Sequence, residues 1–187
     1  MNEPAVRERN WDAYAAVIAS LIGLLALVVS GYTAYLQRQQ VRAQVWPMLV
    51  IGNSNLQLKQ LVMNQGLGPA KITGMKVTVD GKITRRWVDV MRAFEFTGKE
   101  GFAYSTFNGM VLAPGETADL FVAADSASSR EMFNGFLDRS KHSFAMSICY
   151  CSVLDDCWLA TDSAPRVIDR NVSITTCPIL DSEQFQN

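Results

Sequence analysis

Residues 61–82 read "LVMNQGLGPAKITGMKVTVDGK". Two glycines and a proline fall within residues 64–69, alternating apolar positions follow, and the stretch closes on Asp80-Gly81. A phosphate-binding loop needs its glycines to lead into a helix N-terminus, where backbone N–H groups and the dipole favour an anion. Here Pro69 is followed by "AKITGMKVTV", rich in β-branched residues and of period two, which is a strand pattern. No Lys-Ser/Thr pair of a P-loop follows the glycines either. "NQGLGPA" therefore reads as a strand-to-strand connection, with glycine supplying backbone angles that other residues resist. Ile72, Met75, Val77 and Val79 form the apolar phase, with an irregularity at Gly74. Asp80-Gly81 suits the positive φ angles of a type I′ hairpin turn, and "KITRRWV" returns as the partner strand.

The same reading extends in both directions. "WPMLVIGN" is a strand ending at "GNSN", and "LQLKQLVMN" is another, with Leu56, Leu58, Leu61 and Met63 as its apolar positions. "WVDVMRAFEF" has helical spacing, placing Trp87, Val90, Met91 and Phe94 on one face. "GMVLAPGETADLFVAA" is two strands around Pro114-Gly115, the residue pair of a type II turn, or one strand with a kink. "SSREMFNGFLDR" follows Asp125 and Ser126, both good N-cap types, and reads as a short helix. "HSFAMSICYCSVL" and "CWLATDS" form a hairpin around Asp155-Asp156, "RNVSITTCP" is a last strand, and the tail from Asp181 is polar and frayed. Seven or eight short strands with two small helices predict a mainly-β sandwich. Trp87, Phe102, Phe107, Phe121, Phe133, Phe136 and Phe144 are its expected core.

Before the strands, residues 13–36 contain no charge in 24 positions, "AYAAVIASLIGLLALVVSGYTAYL". About 20 apolar residues span a bilayer as a helix. Trp11 and Tyr14 at one end and Tyr32 and Tyr35 at the other match interfacial aromatic belts. A cleaved signal peptide is the alternative, but its apolar region is typically ~7–15 residues. The expected organisation is an N-terminal flank 1–12, a transmembrane helix 13–36, a helical stalk 37–45, a β-sandwich 46–178 and a polar tail 179–187. Arg7 and Arg9 precede the span and Arg38 and Arg42 follow it, so the positive-inside count is a tie. Glu3, Glu8 and Asp12 on the leading side, against Lys59, Lys71 and Lys76 on the trailing side, lean the large domain to the cytoplasm. Ala15, Ala19, Gly23, Ala26, Ser30 and Ala34 recur at helical spacing, and such small residues let helices pack closely in lipid. They are the candidate helix–helix interface.

Asn64-Gln65-Gly66-Leu67-Gly68-Pro69-Ala70, with Leu112-Ala113-Pro114-Gly115-Glu116 farther on, resembles the pattern of bacterial immunoglobulin-like domains. There a strand ends in Asn-x-Gly, and a later Pro-Gly-Glu turn precedes another core strand. The chain is also similar to a loose group of bacterial single-pass membrane proteins with an anchor, then Trp-Pro, then Asn-x-Gly-x-Gly-Pro-Ala. The resemblance covers roughly residues 45–125. It implies an immunoglobulin-like sandwich and a bacterial inner (cytoplasmic) membrane location, and it implies no catalytic residue. Many immunoglobulin-like relatives act outside the cytoplasm, against the charge-based orientation.

The most pointed chemistry lies in Cys149, Cys151, Cys157 and Cys177. Three readings stand open: two disulfides, a structural Zn²⁺ held by four thiolates, or buried thiols. The zinc reading departs from the usual C-x₂₋₄-C spacing. His142, the only histidine, begins a strand in this reading, with no nucleophile-elbow or cysteine-protease signature around any Ser or Cys. Asp155-Asp156 is explained by turn chemistry. Arg85, Arg86, Arg139 and Lys141 are candidate anion contacts. A net charge of −1 leaves no domain-wide basic surface for duplex nucleic acid. The expectation is a non-enzymatic, membrane-anchored binding or interaction module: an oligomeric or accessory subunit with a protein partner or its own copies, embedded in a lipid bilayer. The alternative is a ligand-gated membrane sensor or effector whose soluble domain binds a small anionic, nucleotide-like signal.

Overall fold

The computed structural model describes residues 11–96, 101–105, 107–162 and 167–186. The chain divides into two units, residues 1–42 and 43–187. The first is built on helix α1, Trp11–Gln44, which overruns the charge-free segment at both ends and buries none of its residues. It is long and apolar enough to cross a bilayer. Its hydroxyls add little polarity: Ser20 Oγ donates to Val17 O and Thr33 Oγ1 to Val29 O, both at 2.8 Å. At 100° per residue, the six small positions from Ala15 to Ala34 share one stripe about 100° wide. Nothing in the chain lies within 4 Å of a Cβ built at Gly23. Arg7, Arg9, Glu3 and Glu8 lie outside the described residues.

The second unit is a mainly-β sandwich. One antiparallel sheet runs β1-β2-β7-β5, where β1 is Leu49–Ser54, β2 Lys59–Asn64, β5 Phe102–Tyr104 and β7 Thr117–Ala123. The other runs β10-β9-β8-β3-β4, with β6 also paired to β3. Here β3 is Ala70–Val79, β4 Lys82–Thr84, β6 Val111–Leu112, β8 Phe144–Cys151, β9 Cys157–Thr161 and β10 Asn171–Ile174. Helices α2, Trp87–Ala93, and α3, Ala127–Ser143, complete it. The hairpin at Asp80-Gly81 has φ +50° and +74°, the type I′ signature. Gly115 has φ +76° and Glu116 N–H donates to Ala113 O at 3.0 Å, closing the Pro-Gly turn. Phe121 lies at the centre of the core, with Phe102, Trp87, Phe133 and Phe136 rings at 5.5–6.2 Å.

The structure corrects the sequence reading at five places. The described residues form ten strands rather than seven or eight; the three-residue edge strand β5 is too short to carry a periodic signal. In β2 the inward phase is Gln60, Val62 and Asn64, not Leu61 and Met63; the Asn64 amide finds four backbone partners inside. Leu58 sits in a turn at φ +49° with its side chain buried. His142 does not begin a strand: α3 continues through Ser143 and carries it in the last turn. The tail is not frayed. Phe185 is buried 5.2 Å from Trp87, its N–H donates to Met75 O at 2.7 Å, and Gln186 N–H donates to Arg85 O. Gln184 crosses β3 at Gly74, where any Cβ would meet its amide at 2.8 Å, and the β3–β8 register shifts between Ile72 and Gly74.

Candidate functional site

Strand directions sort the loops to two ends of the sandwich. One end gathers the incoming segment 45–48, the 65–69 connection, the Pro114-Gly115 turn and the 152–156 turn. Its centre is the fully buried Asn64 side chain. Asn64 Oδ1 accepts from Met48 N at 3.2 Å and Gly66 N at 3.0 Å; Nδ2 donates to Gly68 O at 2.8 Å and Leu112 O at 3.0 Å. The glycines of "NQGLGPA" are required by close approach. A Cβ at Gly66 would collide with Trp46 O, Pro47 Cα and Met48 N, and one at Gly68 with Val45 O. This end is a structural knot with every amide valence used, not an anion cradle.

The cysteines pair as Cys149–Cys177 and Cys151–Cys157, leaving none free. Cys151 and Cys157 are directly opposed on β8 and β9, and Cys149 holds the segment that follows β10. This corrects the structural-zinc alternative, because a Cys₄ zinc site requires thiolates and a disulfide sulfur has no charge to offer. Among the described residues no other group of His, Cys, Asp and Glu is placed to hold a metal.

The candidate anion contacts do not all converge: Arg85 and Arg86 line one groove with Lys82, apart from Arg139 and Lys141. Arg86 forms a two-point ion pair with Asp89, at 2.8 and 3.2 Å, and holds that carboxyl below its ordinary range. Arg85 Nε donates to Gln184 O. Arg139 caps Phe94 O at 3.0 Å and sits 5.3 Å from the centre of its ring. Lys141 pairs with Asp138 at 3.1 Å. Of the four, Lys141 alone lines the cleft described next.

That cleft, about 390 Å³, lies at the opposite end of the sandwich, between β1 and β2 of one sheet, the end of β9 and the C-terminal turns of α3. Its apolar wall includes Ile51, Phe136 and Phe144; its polar lining is Asn53, Gln60, Ser140, Lys141, Asp162 and Arg170. Gln60 is 6% exposed, and among the described residues its Oε1 has no hydrogen-bond partner. It sits at a bulge, since the β2–β7 register shifts between Gln60 and Leu61, and bulges re-aim side chains. Asp162 ends β9. Its Oδ1 accepts from Met146 N at 2.8 Å while its own N–H donates to Met146 O. Burial pushes its carboxyl up to about 6, against the opposing pull of the Met146 N–H, its own N–H and the Arg170 charge. Ser140 Oγ donates to Leu137 O, leaving its lone pairs toward other donors. Toward the Asn64 end, Tyr150 OH donates to Asn171 Oδ1 at 2.7 Å, and Asn171 Nδ2 donates to Leu49 O at 3.0 Å, stapling one sheet to the other. Burial pushes the Tyr150 hydroxyl up to about 12.

Sequence reasoning assigned no role to Gln60, Asp162, Ser140 or Arg170. The one available signal was a glutamine in phase with Val62 on an inward strand face. Compared with known proteins, the chain matches no protein-family model and no curated protein.

Proposed function

We propose that this is a membrane-anchored binding module: α1 holds the chain in a bacterial cytoplasmic membrane, and the sandwich presents its loops to a protein partner or to further copies in the oxidising compartment outside. The observation that carries the reading is the pair of disulfides in a domain joined to an apolar, wholly uncovered helix. Disulfides persist in oxidising compartments and are rare where glutathione and thioredoxin keep thiols reduced. That consideration outweighs the charge lean toward the cytoplasm, which rests on acids that count little in the positive-inside rule. The small-residue stripe of α1 supports association within the membrane.

The test is compartment first. In intact cells and in spheroplasts, protease should cut the sandwich only where the outer face is accessible. Mass analysis should show four alkylatable thiols after reduction and none before. Free thiols in the native protein, or protection of the sandwich in spheroplasts, would refute the orientation. Crosslinking in native membranes should trap a partner or a dimer; an isolated monomer at all crosslinker concentrations would refute the interaction role.

A further inference from the structure

We propose that the free edge of β1 binds an extended, uncharged segment of a partner protein, which adds as a strand beside residues 51–53 and places an apolar side chain in the cleft at the α3 end. β1 ends its sheet, with β2 as its one strand neighbour. In an antiparallel pair, alternate residues turn their N–H and C=O toward the neighbouring strand and away from it. Gln65 N–H donates to Met48 O, whereas Leu49 O accepts from Asn171 Nδ2, so the Leu49 groups point outward. The register runs unbroken from Leu49↔Asn64 to Ser54↔Lys59, which turns the groups of Ile51 and Asn53 outward as well. Among the described residues neither is hydrogen-bonded on that side. Alternating free donors and acceptors on a sheet edge are a template for strand addition. Of the four sheet ends β1 is the longest, six residues against three for β4 and β5 and four for β10. It carries none of the charges or prolines that ordinarily blunt an edge.

Gly52 points the same way. Its own fold does not require glycine there: a Cβ would meet only Leu61 Cδ1, at 3.9 Å, and its φ is not positive. Glycine inside a strand weakens it and marks a bulge or the close approach of another backbone. The β1–β2 register has no bulge, which leaves the approach. The cleft then fixes the chemistry of the segment. Ile51, Gly52 and Asn53 line its volume of about 390 Å³, and Phe136, Leu137 and Phe144 give it apolar surface. Its charged groups are met within the chain: Lys141 pairs with Asp138, Arg170 is engaged as well, and Asp162 accepts from Met146 N–H. A charged segment finds no uncommitted counter-charge there. A peptide backbone finds the β1 edge, and an apolar side chain finds the aromatic surface.

The proposal rests on the sandwich being a binding module, and its test is independent of compartment. The full-length chain, in detergent micelles, is titrated by calorimetry with blocked hexapeptides in which threonine alternates with valine, leucine or phenylalanine. Peptides with aspartate or lysine at the apolar positions, and apolar peptides N-methylated at alternate amides, form separate arms. At least one apolar peptide should bind, and the charged and N-methylated ones should not. Asn53→Pro should weaken that binding about tenfold, the scale of one lost hydrogen bond. Proline is tolerated on an edge strand where its missing N–H faced outward, so the variant should keep the Tm of the parent chain, which shows that it folds. The proposal is overturned if no apolar peptide binds, if N-methylated or charged peptides bind as well, or if Asn53→Pro binds unchanged. It is equally overturned if sedimentation of the peptide-free chain shows a dimer that Asn53→Pro abolishes, since β1 would then pair with a second copy. None of the peptide results alters the protease or crosslinking outcome, so failure of the strand site and failure of the anchored module are read separately.

Discussion

Replacing Asn64 by alanine should unfold much of the sandwich's stability margin. The side chain serves four backbone groups: N–H of Met48 and Gly66, and C=O of Gly68 and Leu112. All lie where the incoming segment, the 65–69 connection and β6 meet, and the side chain is fully buried. Each buried group left without a partner costs about 1–3 kcal/mol, less where water enters the hole. Four groups at the lower bound give about 4 kcal/mol, a large part of the ~5–15 kcal/mol of an ordinary domain. Asn64→Asp has the same shape and sharpens the reasoning. It keeps the two accepted bonds but turns the two donated ones into a carboxylate facing two carbonyl oxygens. Asn64→Asp should therefore be at least as damaging as Asn64→Ala at neutral pH, and should recover partly in acid, where a protonated carboxyl donates one bond. Urea unfolding followed by fluorescence of the buried Trp87 measures both, with exposed Gln65→Ala as a control expected to stay within about 0.5 kcal/mol. A loss below about 1 kcal/mol for Asn64→Ala would refute the claim that this amide ties the loops together.

Three further outcomes follow from the same geometry. Gly68→Ala should destabilise by about 1–3 kcal/mol through overpacking, because its Cβ meets the rigid carbonyl of Val45; the urea midpoint reports it. Cys149→Ser/Cys177→Ser should cost more than Cys151→Ser/Cys157→Ser: chain entropy gives about 3.6 kcal/mol for a separation of 28 and about 2 kcal/mol for 6. Equal losses in calorimetric Tm would count against that ordering. Asp162 has a carboxyl raised from 3.8 to about 6 in the fold, so the folded state holds its proton more tightly than the unfolded chain. Stability is therefore highest below about pH 4 as far as this group is concerned, falls as pH rises through the window to about 6, and is level above it. Asp162→Asn should flatten that slope and gain about 1–3 kcal/mol at pH 7, the shift converted and discounted for partial exposure. Unchanged pH dependence of the urea midpoint would refute it.

Reading the sequence alone located the long apolar helix, the type I′ hairpin, the Pro-Gly turn, both domain helices and most of the core. These depend on local chemistry. An uncharged run has no alternative to an apolar environment, Asp80-Gly81 tolerates positive φ, and the Trp87–Val90–Met91 spacing makes one helical face. The tail failed because its composition is polar, while its structure depends on one residue: Phe185 is held by a ring, Trp87, nearly a hundred positions away. The phase of β2 failed for a related reason. Leu61 and Met63 are the more apolar set, but Gln60 and Asn64 face inward because distant groups, the Leu112 carbonyl among them, complete Asn64 there. The candidate site lay beyond reach for the same cause. Gln60, Ser140, Asp162 and Arg170 each carry no motif, and their meaning arises where β2, α3, β9 and the turn before β10 close around one volume. Local propensity is written in neighbouring residues; the pairing of the cysteines, the inward turn of two amides and the polar cleft are written in contacts across the chain, which form only when the two sheets pack.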